Sequence, residues 1–196
     1  MSSTATSIDR ETALMKLIRD TLGAQIRAAV AGTPIPESFV AALVANESGG
    51  NLAATRYEAA ELGRFALVLA GKRESYQGIV KATLSAALRG VYTLEQGAQI
   101  LVNYCTSWGP TQIMGWQALK GGYPLSELSL PTKHFPHAVE LLVSFSKEFT
   151  LISDGVQTSW ANFFRCWNTG RPDGKTFDPN YATNGLYRMQ IYQQLV

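Results

Sequence analysis

The stretch Pro36–Asn51, PESFVAALVANESGGN, decides the fold because it joins an apolar helix to an isolated acid. Proline is tolerated in the first turn of a helix, so the helix is expected to start near Pro36. Apolar side chains then repeat at helical spacing and define a face that packs on a core. They are Phe39, Val40, Leu43 and Val44.

Glu47 ends this predicted helix, and Gly49 and Gly50 stop it. The negative end of the helix dipole and apolar surroundings both disfavour a carboxylate, so the pKa of Glu47 is expected to be raised. A carboxylic acid that keeps its proton near neutral pH can protonate the leaving oxygen of a glycosidic bond. Taken alone, the pattern is more typical of an ordinary exposed glutamate before a glycine cap.

A second segment, SWGPTQIMGW at 107–116, places a hydroxyl, an amide and apolar groups within ten residues. Ser107 can hydrogen-bond a carboxyl group or a sugar, and Gln112 offers a donor and an acceptor to hydroxyl and acetamido groups. Met114 adds soft apolar surface. The alternative is the start of a helix over 110–120 with Ile113 buried.

A third segment, CWNTG at 166–170, precedes a loop rich in Gly, Pro and Asp and then Tyr181. Trp167 can present a flat ring, and Asn168 an amide, to a saccharide. A glycine-ended helix with a core tryptophan accounts for the pattern equally well.

In this order the three segments resemble the lysozyme-like superfamily of lytic transglycosylases and muramidases. The family motifs are E-S-G-G-N, S-x-G-x-x-Q-I-M and Y-N-x-G, and their counterparts are ESGGN at 47–51, SWGPTQIM at 107–114 and CWNTG at 166–170. The resemblance covers about residues 36–192 and implies a lysozyme-like fold with Glu47 as catalytic acid. The residues expected to contact the glycan are Ser107, Gln112, Met114, Trp167, Asn168 and Tyr181.

The wide separation of Glu47 from Ser107 is more similar to the N-acetylmuramidases of phage endolysins. Those proteins carry an F-E-x-H segment after the acid. The counterpart here is RYE at 56–58, but position 60 is alanine instead of histidine. The tyrosine of Y-N-x-G is also replaced, by Trp167. The chain therefore looks like a divergent relative.

The resemblance implies cleavage of the β-1,4 bond between N-acetylmuramic acid and N-acetylglucosamine in peptidoglycan. We expect hydrolysis, for which Glu58 is the best second carboxylate. Glu58 is equally expected to be a surface group or an ion-pair partner of Arg56 or Arg64. One alternative is a lytic transglycosylase, in which the muramyl 6-hydroxyl attacks and no second carboxylate is needed. An alternative of another class is a non-catalytic wall-binding module.

The periodicity predicts a mainly α single domain over 1–196, with an N-terminal helical segment at 1–32. A small β-hairpin is expected at 51–58, directly after the catalytic helix, followed by an inserted helical lobe at 59–106. Helical patterns within and after that lobe fall at 59–70, 75–89, 94–106, 110–120, 135–153, 156–167 and 183–195.

The composition of the chain excludes some classes of binding partner. The 17 basic and 15 acidic residues leave a net charge of +2 with no basic run, so nucleic acid is not an expected partner. No stretch is apolar enough for stable membrane insertion, and the N-terminus lacks the layout of a secretory signal. We expect a monomer that acts on the cell envelope. A phage endolysin that is made in the host cytoplasm would fit this expectation.

No cofactor or metal is expected. His134 and His137 are predicted to lie at a solvated helix end, without acidic or cysteine neighbours. Cys105 and Cys166 lack metal-ligand spacing. They are predicted to be buried thiols, with a disulfide as the alternative.

Overall fold

A computed structural model describes residues 2–153 and 158–195 of the chain, and this part is mainly helical, as predicted. The described α-helices are α1 (Ser2–Val30), α2 (Glu37–Glu47), α3 (Ala59–Leu69), α4 (Lys81–Ala87), α5 (Leu94–Tyr104), α6 (Trp116–Gly121), α7 (Pro131–Phe149), α8 (Trp160–Thr169) and α9 (Tyr181–Leu195). Leu125–Ser129 forms a 3₁₀ helix. The strands are β1 (Thr55–Tyr57), β2 (Ser75–Tyr76), β3 (Ile79–Val80), β4 (Thr106–Trp108) and β5 (Ile113–Met114).

The larger core surrounds α2. Every residue from Ser38 to Ala45 is buried, so α2 is enclosed on all sides rather than on the single face that the sequence suggested. Helices α1, α7, α8 and α9 supply the surrounding side chains. The ring of Phe39, for example, lies 4.4 Å from that of Phe164 and 5.4 Å from that of Trp160, centroid to centroid. Full burial of one such ring stabilises the fold by about 1.5–3 kcal/mol.

A second, smaller core belongs to the segment between the first two motifs. Its buried members are Phe65, Val68, Tyr76, Ile79, Leu84, Cys105 and Trp116. The inserted segment therefore has apolar packing of its own. This packing reaches past the predicted boundary at 106, because Trp116 and Leu119 of α6 also contribute.

A three-stranded antiparallel sheet in the order β1–β4–β5 joins the first motif to the second. Thr55 pairs with Trp108, and Ser107 pairs with Met114. The prediction of a hairpin within 51–58 is therefore wrong. That segment contributes one strand, because its hydrogen-bonding partner is β4 and not its own neighbour; the hairpin of this sheet is β4–β5.

Three predicted helices need correction. In place of a helix over 75–89, β2 and β3 form a hairpin before α4, because Gln77 (φ 53°) and Gly78 (φ 76°) make a tight turn with positive φ. The helix predicted over 110–120 is a turn and β5 followed by α6. The helix predicted over 94–106 ends at Tyr104, where β4 takes over.

The later helices agree with prediction except at their ends. Helix α7 begins at Pro131, earlier than predicted, since proline suits a first helical turn, and ends at Phe149. Helix α8 begins at Trp160 and extends to Thr169. The predicted helix start at 156 lies outside the described residues. Helix α9 begins two residues before the predicted 183.

Candidate active site

Glu47 is the last residue of α2, and the chain turns away directly after it. The backbone N–H of Ser48 closes the helix by donating to the carbonyl of Val44 at 3.0 Å. Gly49 (φ 61°) and Gly50 (φ 88°) then adopt left-handed conformations that a residue with a Cβ rarely takes. The glutamate is half-buried at this helix end and is not the exposed glutamate that the pattern taken alone suggested.

Burial raises the pKa of the Glu47 carboxyl to about 7. Two weaker effects oppose it: the hydroxyl of Tyr181 donates a hydrogen bond to Glu47 Oε1, and the positive charge of Arg56 favours the carboxylate. Burial also raises the pKa of Tyr181, which therefore keeps its proton and remains a donor. Near neutral pH the acid is thus balanced between its two protonation states.

Tyr181 itself is placed by a chain of polar contacts that the sequence analysis missed. Asn46 Nδ2 donates to the Tyr181 carbonyl at 2.9 Å, and Arg188 Nη1 donates to Asn46 Oδ1 at 2.7 Å. Arg188 in turn pairs with Glu11 at 2.7 Å and 3.0 Å. Helices α1, α9 and α2 are therefore tied together next to the acid. The one signal in the sequence was the position of Asn46 directly before Glu47.

Tyr181 was predicted to contact the glycan. The structure buries it to 8% exposure at the start of α9, with its hydroxyl on the acid. Its ring packs edge-on against Phe164, with centroids 6.2 Å apart. This placement makes Tyr181 a partner of Glu47 within the protein and leaves little of the ring open to a sugar.

Glu58 follows β1 and pairs with Arg56, whose Nε lies 2.6 Å from Glu58 Oε1. Its backbone N–H donates to the Cys105 carbonyl at 2.9 Å, which holds it at the edge of the sheet. The sequence analysis gave an ion pair with Arg56 as one alternative for Glu58, and the structure shows this pair. Arg56 also acts electrostatically on Glu47, so the cation is close to both acids. A catalytic role for Glu58 stays a prediction.

Ser107 and Gln112 brace the turn between β4 and β5. Ser107 is buried, and its hydroxyl donates to Gln112 Oε1 at 2.8 Å. Gln112 Nε2 donates to the carbonyls of Ala54 at 3.0 Å and Gly109 at 2.9 Å, which uses both of its hydrogens. Gln112 has a φ of 56°, and these bonds hold it in that strained conformation. Contact of either side chain with a sugar stays a prediction.

A groove of about 320 Å³ lies where the first two motifs meet. It is lined by Leu52, Ala53, Ala54, Thr55, Trp108, Gly109 and Ser129. Trp108 is half-buried, and its indole N–H donates to the Asn103 carbonyl at 2.9 Å. Met114 is also half-buried and packs against the smaller core. The mixed apolar and backbone surface of the groove is of a kind that can take a sugar ring.

Trp167 and Asn168 lie in the last turn of α8, which Gly170 (φ 78°) ends, so the helix alternative is the observed one. Trp167 is half-buried, and its indole N–H donates to the carbonyl of Thr111 at 2.9 Å. This bond joins the second motif to the third. Asn168 is exposed. Their contact with a glycan stays a prediction.

The two histidines do not lie at a solvated helix end, so that prediction is wrong. His134 is fully buried, because α7 starts early enough to turn it inward onto the loop of the second motif. His137 is mostly buried; its ring stacks on Tyr123 with centroids 3.6 Å apart, and its Nε2 lies 2.8 Å from Glu127 Oε2.

Cys105 and Cys166 are free, buried thiols. Burial raises the pKa of Cys105 to about 12 and that of Cys166 to about 11, so both remain protonated. Within residues 2–153 and 158–195, no three His, Cys, Asp or Glu side chains gather as a metal site requires. In the same ranges, no helix combines the length and apolar character needed to cross a membrane.

Comparison of the chain with models of known families, with curated proteins and with solved structures found no match.

Proposed function

We propose that this protein cleaves the β-1,4 bond between N-acetylmuramic acid and N-acetylglucosamine in peptidoglycan, with Glu47 as the general acid. One observation carries the proposal: a half-buried glutamate at a helix end, with a pKa of about 7, bonded to a tyrosine hydroxyl. A group with this pKa supplies a proton at neutral pH and accepts it back. The motif resemblance and the groove between the first two motifs support a glycan as the substrate. The site of action that follows is the cell envelope.

In the first step, Glu47 gives its proton to the glycosidic oxygen as the bond from that oxygen to the anomeric carbon breaks. Positive charge develops on the sugar, and the carboxylate left on Glu47 is stabilised by the hydrogen bond from Tyr181. In the hydrolytic form of the proposal, a water then adds to the anomeric carbon and a carboxylate takes its proton. Glu58 is our candidate for that base.

A second form is favoured by the Arg56–Glu58 ion pair. With its carboxylate bound to a guanidinium at 2.6 Å, Glu58 is less available to take a proton from water. A lytic transglycosylase needs no such group. The 6-hydroxyl of the muramyl residue attacks the anomeric carbon and returns its proton to the Glu47 carboxylate. The product is then a 1,6-anhydro end.

Mass spectrometry of the fragments released from purified peptidoglycan tests both forms. Reducible muramic ends indicate hydrolysis, and 1,6-anhydro ends indicate transglycosylation. Glu47→Gln is expected to lower release by at least about a hundredfold, since general acid catalysis contributes about 10²–10⁴-fold. The matched control is Glu95→Gln, an exposed glutamate in the first turn of α5, which should retain full activity.

Three outcomes contradict the proposal or part of it. Full activity in Glu47→Gln would show that Glu47 is not the general acid. Binding to peptidoglycan without release of any fragment indicates a wall-binding module. An unchanged rate of hydrolysis in folded Glu58→Gln removes Glu58 as the base while leaving Glu47 in place.

A further inference from the structure

His134 has hydrogen-bond partners that specify its protonation state. Its Nδ1 lies 2.9 Å from the carbonyl of Leu128, and its Nε2 lies 3.2 Å from the backbone nitrogen of Thr111 and 2.7 Å from Thr111 Oγ1. A carbonyl only accepts and a backbone N–H only donates. The ring is therefore neutral, with its hydrogen on Nδ1 and the lone pair of Nε2 facing Thr111.

Thr111 is the link between His134 and the third motif. It is fully buried, and its N–H and hydroxyl both contact His134. Its carbonyl accepts the indole hydrogen of Trp167 at 2.9 Å. The three polar groups of this one residue thus connect α7, the turn of the second motif and α8.

The imidazole also fits closely against the backbone of that turn. A Cβ placed on Gly109 would lie 2.7 Å from the ring atoms of His134 and 2.7 Å from the carbonyl oxygen of Leu128. Only glycine therefore allows the turn to approach the ring this closely, and its φ of 72° suits glycine as well. The ring and the turn fix each other's position.

The charged and titratable groups around His134 come from three elements. His137 and Glu140 lie on α7 itself, one turn apart. His137 faces Glu127 of the 3₁₀ helix, and its ring stacks on Tyr123 of the preceding turn. None of these groups is a hydrogen-bond partner of the His134 ring. Burial, opposed by the Leu128 carbonyl and assisted by the charge of His137, lowers the pKa of His134 to about 4.

We propose that His134 is a positioning residue: in its neutral form it holds the turn of the second motif against Trp167 and thereby sets the wall that Gly109 contributes to the groove. It acts through Thr111 and does not touch substrate. Its part in catalysis rests on the proposed function, whereas its effect on the position of Trp167 is independent of that function.

Nuclear magnetic resonance tests the placement without any substrate. In ¹⁵N-labelled wild-type protein at pH 7, we expect His134 to show the tautomer with hydrogen on Nδ1. In His134→Leu we expect the Trp167 indole N–H to exchange with solvent at least about tenfold faster, as for the loss of a bond worth about 1.4 kcal/mol. Trp167→Phe assigns the signal.

His134→Gln is the matched variant, because its side-chain oxygen can accept from Thr111 in place of Nε2 and should restore slow exchange. Equal exchange in His134→Leu and wild type would overturn the proposal. So would the Nε2–H tautomer in the wild-type protein, and this second measurement decides the matter if His134→Leu fails to fold.

Peptidoglycan kinetics test the consequence for the groove. We expect His134→Leu to raise KM about tenfold with kcat changed less, because a displaced groove wall weakens binding of the substrate and of the transition state alike, and His134→Gln to recover most of the loss. A fall in kcat at unchanged KM would overturn this part. If Glu47→Gln is active, the proposed function fails, while the tautomer and exchange results still stand or fall by themselves.

Discussion

At the residue scale, one carboxyl group is subject to opposing effects. Burial at the end of α2 disfavours the charge of Glu47, whereas the Tyr181 hydroxyl and the Arg56 guanidinium favour it. The tyrosine is the nearer group and is itself fixed by Asn46. The acidity of Glu47 therefore depends on contacts made within the protein before any substrate arrives.

Replacing Tyr181 with phenylalanine should raise the pKa of Glu47, because the hydrogen bond that stabilises the carboxylate is removed. We expect the alkaline limb of the rate profile to move up by about one pH unit, which corresponds to about 1.4 kcal/mol, and the maximal rate to fall. The profile of fragment release against pH measures both effects. Tyr187→Phe, at a 39% exposed position on α9, is the control and should change neither. A shift to lower pH would contradict this account.

Glu47 should also make the fold less stable at high pH. Its pKa is about 7 in the folded state, against an ordinary value of 4.5, so the folded protein binds the proton more tightly. The associated stability is present below pH 4.5 and is lost as pH rises through 7. Glu47→Gln is therefore expected to be more stable than wild type at pH 8–9, by up to about 3 kcal/mol, and to differ little at pH 4. Urea unfolding at both pH values checks this. A gain that is equal at both would contradict it.

At the scale of elements, the position of Glu47 depends on three helices that the Arg188 side chain holds together. Arg188 of α9 bonds both Glu11 of α1 and Asn46 of α2, and the Arg188 and Glu11 side chains are only 17% and 25% exposed. The pKa of Glu11 is lowered, first by the hydrogen bond from Arg188, so its stabilising effect is present above pH 4.5 and is lost as pH falls through its folded-state pKa.

Arg188→Met should therefore destabilise the protein by about 1–3 kcal/mol near pH 7, since it leaves half-buried polar groups without their partner. The difference from wild type should shrink in acid as Glu11 takes up a proton. Urea unfolding at pH 7 and pH 3 measures it. Arg89→Met, at an exposed position beyond α4, is the control. A loss that does not depend on pH would remove Glu11 from the explanation.

The elements also show how far the sequence alone could be interpreted. Helices such as α2, α7 and α9 were predictable because long apolar patterns repeat over three turns or more. The hairpin of β2 and β3 was not, because two-residue strands carry too few side chains to show an alternating pattern. Its signal was the Gln77–Gly78 turn.

In the candidate site, too, residues with a local sequence signal were predictable, and contacts between distant segments were not. Glu47 was found because its surroundings are local in the sequence: a helix end followed by glycines. The partners of Glu47 and Gln112 come from distant segments, namely Tyr181, Ala54 and Arg56. A single sequence does not reveal which of its distant segments meet. The contact between His134 and Thr111 was missed for this reason, since His134 lies on α7 and Thr111 lies 23 residues earlier, in the second motif.

At the scale of the whole molecule, the described residues form two main cores of unequal size, besides a minor cluster of Ile113, Leu128 and Ala138. Most of the larger one lies among long helices, whereas the smaller one is built from short helices and a hairpin within 62–119. Fewer buried side chains support the smaller core, so its local opening is expected to need less free energy than global unfolding.

Phe65→Ala is a test of that difference. Phe65 is fully buried in the smaller core, and such a truncation costs about 3–5 kcal/mol. We expect amide hydrogen exchange to accelerate in α3, α4 and α5 while α2 stays protected. Leu67→Ala, on the exposed side of the same helix, is the control. Equal acceleration in α2 would show that the two cores open together.

The pairing of β1 with β4 bears on the order in which the protein folds. Thr55 and Trp108 meet only after a loop of about 50 residues has closed, and closing such a loop costs entropy that its own packing offsets. Contacts this distant in the sequence form slowly, and late, compared with the turns of a helix. A newly made chain should thus form turns of helix before β1 and β4 pair and the groove comes into place. Under the proposed function, cleavage of peptidoglycan by refolding protein should therefore appear later than the recovery of the helical signal.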